Sequence, residues 1–499
     1  MLRDGKFWPR FMRPKSDRFR KRIDNNLGII SSDRLLAYRS PKFRNPKLEL
    51  FDAYYENRQY CSLVPWDHTK DHNTDEYIPV RKRAPRINYA FAKTLARRVA
   101  ARLVGSRTFP SFTIEEDPDT QRYLTAIIAA SQLNASILEP VRESLAVGSG
   151  FLRFMVTDGQ FVLQHYKSKY CYPTFSPSGE LQSVTIRYVY EDDADLDEHG
   201  DPKEKWFRMD LGPIQDVLYD NPDFDPQSEE DPVFEVVSVA EHNLGFIQGE
   251  WFCTVHSNSD PDGYSLIEDI LDFIDDINYS LSQSSQAVSY NQDPQLTING
   301  MNGEELEELI RSSTKGWNMG REGKAQFLES NLSGVERASE LRDKMRLGIN
   351  DIARVVFLDP DKLNAQNMSG KAMEILHGPL VELVEELRPV YEPTIKSLVV
   401  KMALTNLILT DRGEPAPVNI PEGYKIRSLD IVTVWPPIFQ NTMVDLKEKV
   451  AVVSSATAAN LISRETGTRF IAKDFGVEDI EAEVEKINTQ PVINPFGGF

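Results

Sequence analysis

Apolar side chains recur at helical spacing from about residue 88. Phe91, Leu95, Val99 and Leu103 lie four apart, with Ala92, Ala96 and Ala100 beside them and Arg97, Arg98 and Arg102 on the other face. This period predicts an amphipathic helix with one buried stripe. A second helical region follows, marked by Leu124, Ile127, Ile128, Ile137, Leu138, Val141 and Leu145 and stopped by Gly148 and Gly150. Over 151–254 the pattern changes. The segments 151–157, 161–165, 183–190, 206–211 and 233–240 are rich in aromatic and β-branched residues, with Gly, Pro and Asp between them, and are predicted as strands.

Helices return after the turn Asp260-Pro261-Asp262-Gly263. Leu266, Ile270, Ile274, Ile277 and Leu281 form a stripe over about four turns, and Glu268, Asp269, Asp272, Asp275 and Asp276 crowd the polar side. Residues 292–333 read as a small insert: a strand at 295–298, a short helix at 303–312, then a Gly-rich turn and a second strand ending at 328. Val335, Ala338, Leu341, Met345, Ile349, Ile352 and Val356 mark another long helix, with Glu340 and Lys344 spaced for a favourable pair. Two long helices flanking an insert predict a helical hairpin with a small domain at its tip.

Pro360 ends that helix and a polar loop follows to Ser369, a plausible N-cap. The next helix is predicted to run to about 409 and to kink or break at Gly378-Pro379, Pro389 and Pro393. Strands are expected near 424–426 and 431–434. At least three further helical pieces are expected over 443–488, one of them N-capped by Ser463. There is no internal repeat.

Composition adds class and partners. Of 499 residues, 40% are hydrophobic and 27% charged, which is ordinary globular composition and excludes wholesale disorder. The length suits about three domains. The three cysteines, Cys61, Cys171 and Cys253, are far apart and odd in number, so neither a disulfide framework nor a four-cysteine zinc site is expected, and a reduced, cytosolic compartment is the simplest reading. No stretch reaches the roughly 18 apolar residues of a membrane helix; the best, 398–409, is short and carries Lys401, so no membrane partner is expected. The first 22 residues lack a signal peptide's apolar core.

Charge is unevenly spread. Residues 1–110 hold 25 basic and 11 acidic side chains, whereas the remaining 389 hold 32 and 65. A basic front on an acidic body points to assembly with nucleic acid or with other copies, although an acidic surface also serves solubility. Residues 1–40, with Arg18, Arg20, Lys21 and Arg22 clustered, read as an arm suited to nucleic acid or to an acidic neighbouring surface.

Enzyme signatures are weak. Gly320-Arg-Glu-Gly323-Lys324 lacks phosphate-loop spacing, and Ala325 stands where a hydroxyl should bind magnesium. Gly148-Ser149-Gly150 is not a nucleophile elbow. Asp193, Asp195, Asp197 and Glu204 have calcium-loop spacing, but Glu198 occupies the glycine position and the flanks read as strands, so a solvated hairpin tip is expected. His68 and His72 have metal-ligand spacing in a polar segment that reads as a loop. On these residues two readings stay open: a mixed α/β metal-dependent hydrolase, and a DNA-binding protein acting through its basic front.

The ordered elements carry a resemblance. Pro261-Asp262-Gly263-Tyr264-Ser265-Leu266-Ile267-Glu268 leads into the first acidic helix. Met368-Ser369-Gly370-Lys371-Ala372-Met373 opens the long kinked helix, and Leu461-Ile462-Ser463-x-Glu465-Thr466 lies in the C-terminal helices. Over about 85–490 this order resembles the portal (connector) proteins of tailed double-stranded DNA bacteriophages. The resemblance implies an α+β, helix-rich portal fold that assembles as a ring, usually of twelve subunits, at one capsid vertex. It implies a non-enzymatic protein without cofactors, made in the host cytoplasm and carried in the virion. Implied partners are double-stranded DNA passing through the channel, terminase, the major capsid and scaffolding proteins, and head-completion or adaptor proteins.

On that pattern residues 1–40 are a basic arm, 41–263 the wing, 264–291 the first stem helix and 292–333 the clip. The second stem helix is 334–356, the tunnel loop 357–369, the kinked wing helix and wing strands 370–442, the crown 443–488 and the tail 489–499. Leu266, Ile270, Ile274, Leu341, Met345 and Ile352 would pack the stem between subunits, and Glu268, Asp269, Asp272, Asp275 and Asp276 would face the bore. Asp359, Asp361, Lys362, Asn364, Gln366 and Asn367 would line the tunnel loop. Glu304, Glu305, Arg311, Trp317 and Arg321 would serve motor or adaptor docking at the clip.

Overall fold

A computed structural model describes residues 44–71, 74–114, 117–197, 200–224, 232–255, 260–292, 295–299, 324–328, 333–355, 377–420, 429–438, 443–459, 461–472 and 484. The expected arm 1–40, the loop 357–369, the tip 300–323 of the insert, the expected strand at 424–426, the tail and all but Val484 of the third expected C-terminal helix lie outside these residues.

The first core is helical. Helix α1 (Arg44–Tyr55) precedes α2 (Phe91–Leu103), in which Phe91, Leu95, Val99 and Leu103 are buried as their spacing predicts. A short strand β1 (Ser111–Thr113) leads to α3 (Pro118–Ser131). Asp117 caps α3 by accepting from the Thr120 amide at 3.1 Å, and Pro118 takes the first turn, where its missing N–H costs nothing. The one-turn α4 (Leu133–Ser136) and α5 (Leu138–Val147) follow. Gly148 ends α5 at φ +111° with Gly263 packed against it; a Cβ there would lie 2.5 Å from the Gly263 carbonyl oxygen.

Two antiparallel sheets come next. Strands β2 (Ser149–Thr157), β3 (Gln160–Tyr166) and β9 (Gly249–Cys253) form one, in the order β3-β2-β9, with Phe151 opposite both Tyr166 and Trp251. Strands β4 (Cys171–Phe175), β5 (Leu181–Leu196), β6 (Pro202–Leu211), β7 (Gln215–Tyr219) and β8 (Val236–Glu241) form the other in sequence order. A second core of Val184, Ile186, Tyr188, Phe207, Met209 and Leu211 lies against Phe151 and Trp251. Arg153 of β2 reaches Asp216 of β7 at 2.6 Å, both buried, and ties the sheets together. Burial opposes the charge of Asp216, but His242 and Arg153 outweigh it and hold the carboxyl below its usual range.

Strands β4, β7 and β9 were not expected from the pattern. All five residues of β9 are buried, so its sequence shows no alternation. Pro173 lies inside β4, which is tolerated because β4 is an edge strand. The acidic hairpin tip between β5 and β6 is held by lysines: Asp195 pairs with Lys203 and Lys205 at 3.1 and 2.8 Å. That pairing, and the flanking strands, fit a hairpin tip and not a calcium loop.

The long helices organise the remainder. A 3-10 turn (Glu268–Ile270) enters α6 (Leu271–Gln292), the strands β10 (Gln295–Asn299) and β11 (Lys324–Leu328) pair antiparallel, and α7 (Ser333–Ala353) follows. Helix α8 (Gly378–Asp411) spans 34 residues, about 50 Å at 1.5 Å per residue. It begins with Pro379 in its first turn and stays helical through Pro389 and Pro393, so of the expected breaks only Gly378-Pro379 coincides with a helix end. Its Leu380, Val384, Leu387, Tyr391, Ile395, Leu398 and Met402 are buried in the main core, each such burial stabilising by about 1.5–3 kcal/mol. Tyr391 shares a 2.6 Å hydrogen bond with Ser144 of α5. The short β12 (Val432–Val434) pairs with β1, and α9 (Met443–Ala458) packs on α10 (Arg464–Ala472). The result is a helix-rich α+β fold. No described helix is by itself long and apolar enough to cross a membrane.

Candidate functional site: the paired helices and their hairpin

Helices α6 and α7 pack together, and the β10–β11 hairpin continues from their ends. The predicted stripe of α6 is buried inside its own chain: Ile270, Ile274 and Ile277 belong to the main core and Leu266 packs against it. This corrects the expectation that Ile270 and Ile274 wait for a neighbouring subunit. A hydrophobic stripe reports that a face is buried, not which molecule buries it.

Helix α7 is rotated from its predicted orientation. Its inward face carries Ala338, Arg342, Met345, Ile349 and Ala353, while Leu341 and Ile352 are 52% and 44% exposed. Met345 packs against the core of its own chain, where the expectation had set it between subunits. The cause is Arg342, whose guanidinium donates to the hydroxyls of Ser280 and Ser284 on α6 at 3.3 and 2.7 Å. Two serines facing one long cation bring the helices together at a position where the apolar template expects leucine. Phe273 of α6 lies against Gly348 of α7, 3.4 Å from where a Cβ would stand.

The five carboxylates expected on one open face divide between several environments. Glu268 is buried, and Asp272 is exposed. Asp269 is exposed and accepts from the Tyr264 hydroxyl. Asp276 pairs with Arg81, which also stacks on the Tyr279 ring at 4.8 Å. Asp275 accepts from Tyr54 at 2.8 Å and from Tyr60. Burial raises its pKa to about 6, the charge of Asp272 adds to the effect, and the two hydroxyl donors and Arg81 work against it. Burial beside Asp275 in turn raises both phenols.

The segment 57–89 covers this side of α6. Asn278 donates to Tyr60 and to Asn88, both at 3.1 Å, and accepts from the Tyr89 amide at 2.9 Å. Tyr279 donates to the Arg81 and Arg83 carbonyls, Ser282 accepts from the Ile87 amide, and Trp66 donates to Gln286. Tyr60, Trp66 and Tyr279 form a small core of their own. None of these residues belongs to the apolar stripes that mark the helices in the sequence. The available signal was Asn278-Tyr279-Ser280 and Ser282, hydrogen-bonding groups set beside an apolar stripe, which buried surroundings must satisfy.

Of the remaining candidates, the tunnel-loop residues Asp359, Asp361, Lys362, Asn364, Gln366 and Asn367 and the clip residues Glu304, Glu305, Arg311, Trp317 and Arg321 lie outside the described residues. So does His72, the partner proposed for His68. Among the described residues no group of three or more metal-ligating side chains is gathered.

The described residues form a mixed fold organised on one long buried helix, with a pair of helices ending in a hairpin. The family described as "Phage portal protein, SPP1 Gp6-like" matches residues 42–490. The chain belongs to that family, a structural one, and is a portal protein of a phage-like particle. Among solved structures it is similar to a chain of "Neck of empty GTA particle computed with C6 symmetry", at 12% identity and a TM-score of 0.37 over 76% of this chain and 88% of that one. It is similar also to a chain of "Virion of native gene transfer agent (GTA) particle", at 12% identity and a TM-score of 0.37 over 76% and 89%. No curated protein matches.

Proposed function

We propose that copies of this chain, twelve on the family pattern, close into a ring at one capsid vertex and pass double-stranded DNA through the bore during packaging and ejection. The observation that carries this reading is the family match over 42–490, which spans the helix pair, its hairpin and α8. In this reading α6 and α7 are the stem, and 292–333 is the clip that docks terminase and later head-completion proteins. Residues 357–369 are the tunnel loop, α9 and α10 belong to the crown, and the sheets and α8 form the wing that meets capsid and scaffolding proteins.

The physical logic is a single heterologous contact repeated until rotation closes it. Much of the stem stripe is packed within each subunit, and the large apolar side chains left exposed for a neighbour are Leu341, Leu347 and Ile352 on α7 and Tyr290 on α6. Duplex DNA carries one charge per ~1.7 Å of axis, and a basic bore would bind it through counterion release and arrest it. Asp269 and Asp272, the two exposed carboxylates at the start of the stem, repel phosphate instead and leave the duplex free to slide. Lys362 and the short amides around it would touch the moving backbone without holding it. Neither the hydrolase reading nor the reading of a DNA binder acting through its basic front draws support from a structural portal family.

Electron microscopy of the purified protein tests the ring. Annular particles with a central channel are expected, and a monomer at every concentration would overturn it.

A further inference from the structure

Among the described residues strand β8 is the free edge of the five-stranded sheet, and it is both apolar and uncovered. Val233, Val236, Val237 and Val239 are 84%, 58%, 63% and 47% exposed, and Ile214 beside them is 56% exposed. Val236 stands opposite Tyr219 and Val239 opposite Val217, whereas Leu218 between them packs on the core, so these valines lie on the sheet face turned away from its own core and stay uncovered by it. An edge of six residues, about 20 Å long, also presents unpaired backbone donors and acceptors, and such edges are normally blunted by charge, proline or a cover.

The surroundings say what kind of cover fits. The described acidic residues of this stretch are Asp220, Asp223, Glu235 and Glu241, and the sequence from 220 to 241 holds no Lys or Arg. Glu235 and Glu241 on and beside the strand are exposed. An occupant must therefore be basic and carry apolar side chains. Residues 1–43 meet both conditions: they hold 12 Lys and Arg against 4 Asp and Glu, with Phe7, Trp8, Phe11, Phe19, Ile29 and Ile30 among them. Where this segment joins the described chain also fits. Helix α1 starts beside β4, the opposite edge of the same sheet, where Asn45 donates to the Tyr172 hydroxyl at 3.0 Å. Four interstrand steps of about 4.8 Å separate the two edges, roughly 19 Å, well within the reach of 43 residues at up to ~3.3 Å each.

We infer that the β8 edge is the docking site of the basic segment 1–43, held by valine contacts and by pairing of its arginines and lysines with the acidic rim.

Hydrogen exchange on the full-length protein tests this, read at the amides of 233–241. Slow exchange is expected in the wild type at low salt, becoming at least fivefold faster in 0.5 M salt. The quadruple variant R18E/R20E/K21E/R22E should lose the protection while amides in β5 and β6 keep theirs. E235K/E241K should lose it too, and combining the two sets should restore it, an outcome that misfolding cannot produce. Wild-type amides exchanging as fast as a bare edge would overturn the inference. So would protection that survives arm reversal, which would mean that a second copy or another protein covers the strand.

Discussion

Tyr54 on α1 donates its hydroxyl to the carboxylate of Asp275 on α6 at 2.8 Å, across 221 positions of sequence. With Tyr60 on the second oxygen, this bond fastens the first described helix to the start of α6. It also makes Asp275 an anchor where its sequence neighbours suggested a solvated face.

The elevated Asp275 pKa makes that anchor pH-dependent. An acid whose pKa is near 4 in the unfolded chain and about 6 in the folded one binds its proton more tightly when folded. Its contribution is fully present below pH 4 and declines as pH rises through 6, by about 3 kcal/mol. Asp275→Asn is expected to remove this slope. Thermal unfolding of both proteins from pH 4 to 7.5 checks it: the Asn variant should gain on the wild type as pH rises, and parallel curves would refute the assignment.

The Arg153–Asp216 pair is expected to be costly to break and cheap to replace. Asp216→Ala leaves a buried guanidinium and should cost about 3–5 kcal/mol, whereas Arg153→Met with Asp216→Leu should cost much less. Urea unfolding of the single and double variants measures the difference.

Gly148→Ala is expected to destabilise by 2 kcal/mol or more, because φ +111° and the Gly263 carbonyl leave no room for a methyl group. A shift in midpoint under about 1 °C would show that the two glycines can separate.

Leu341→Asp separates chain folding from assembly. The side chain is 52% exposed, so unfolding of the subunit should change by no more than about 0.5 kcal/mol. If α7 faces a neighbour, ring recovery in size-exclusion chromatography should fall sharply. Normal rings would remove Leu341 from the interface.

Lys362→Ala is expected to assemble normally and to alter packaged DNA length or retention, measured on extracted genomes. Unchanged length and yield would count against a tunnel role.

The sequence by itself determined the elements whose pattern has a single period: α2 from its four-residue stripe, α6 and α7 from theirs, and the aromatic strands β2, β3, β5 and β6. It also determined the family resemblance, which rests on the order of elements and needs no contacts. Tertiary structure alone decided partners. The stripe of α6 could have been buried by a neighbour or by its own chain, and only the packing of Ile270, Ile274 and Ile277 into the main core settles which. The face of α7 depended on Arg342 meeting two serines 58 and 62 residues away. The carboxylates of α6 took different roles because Tyr54, Tyr60 and Arg81 reach them from about 200 residues earlier. Periodicity records whether a side chain leaves water. Which group receives it depends on distance in space, and no local pattern encodes that.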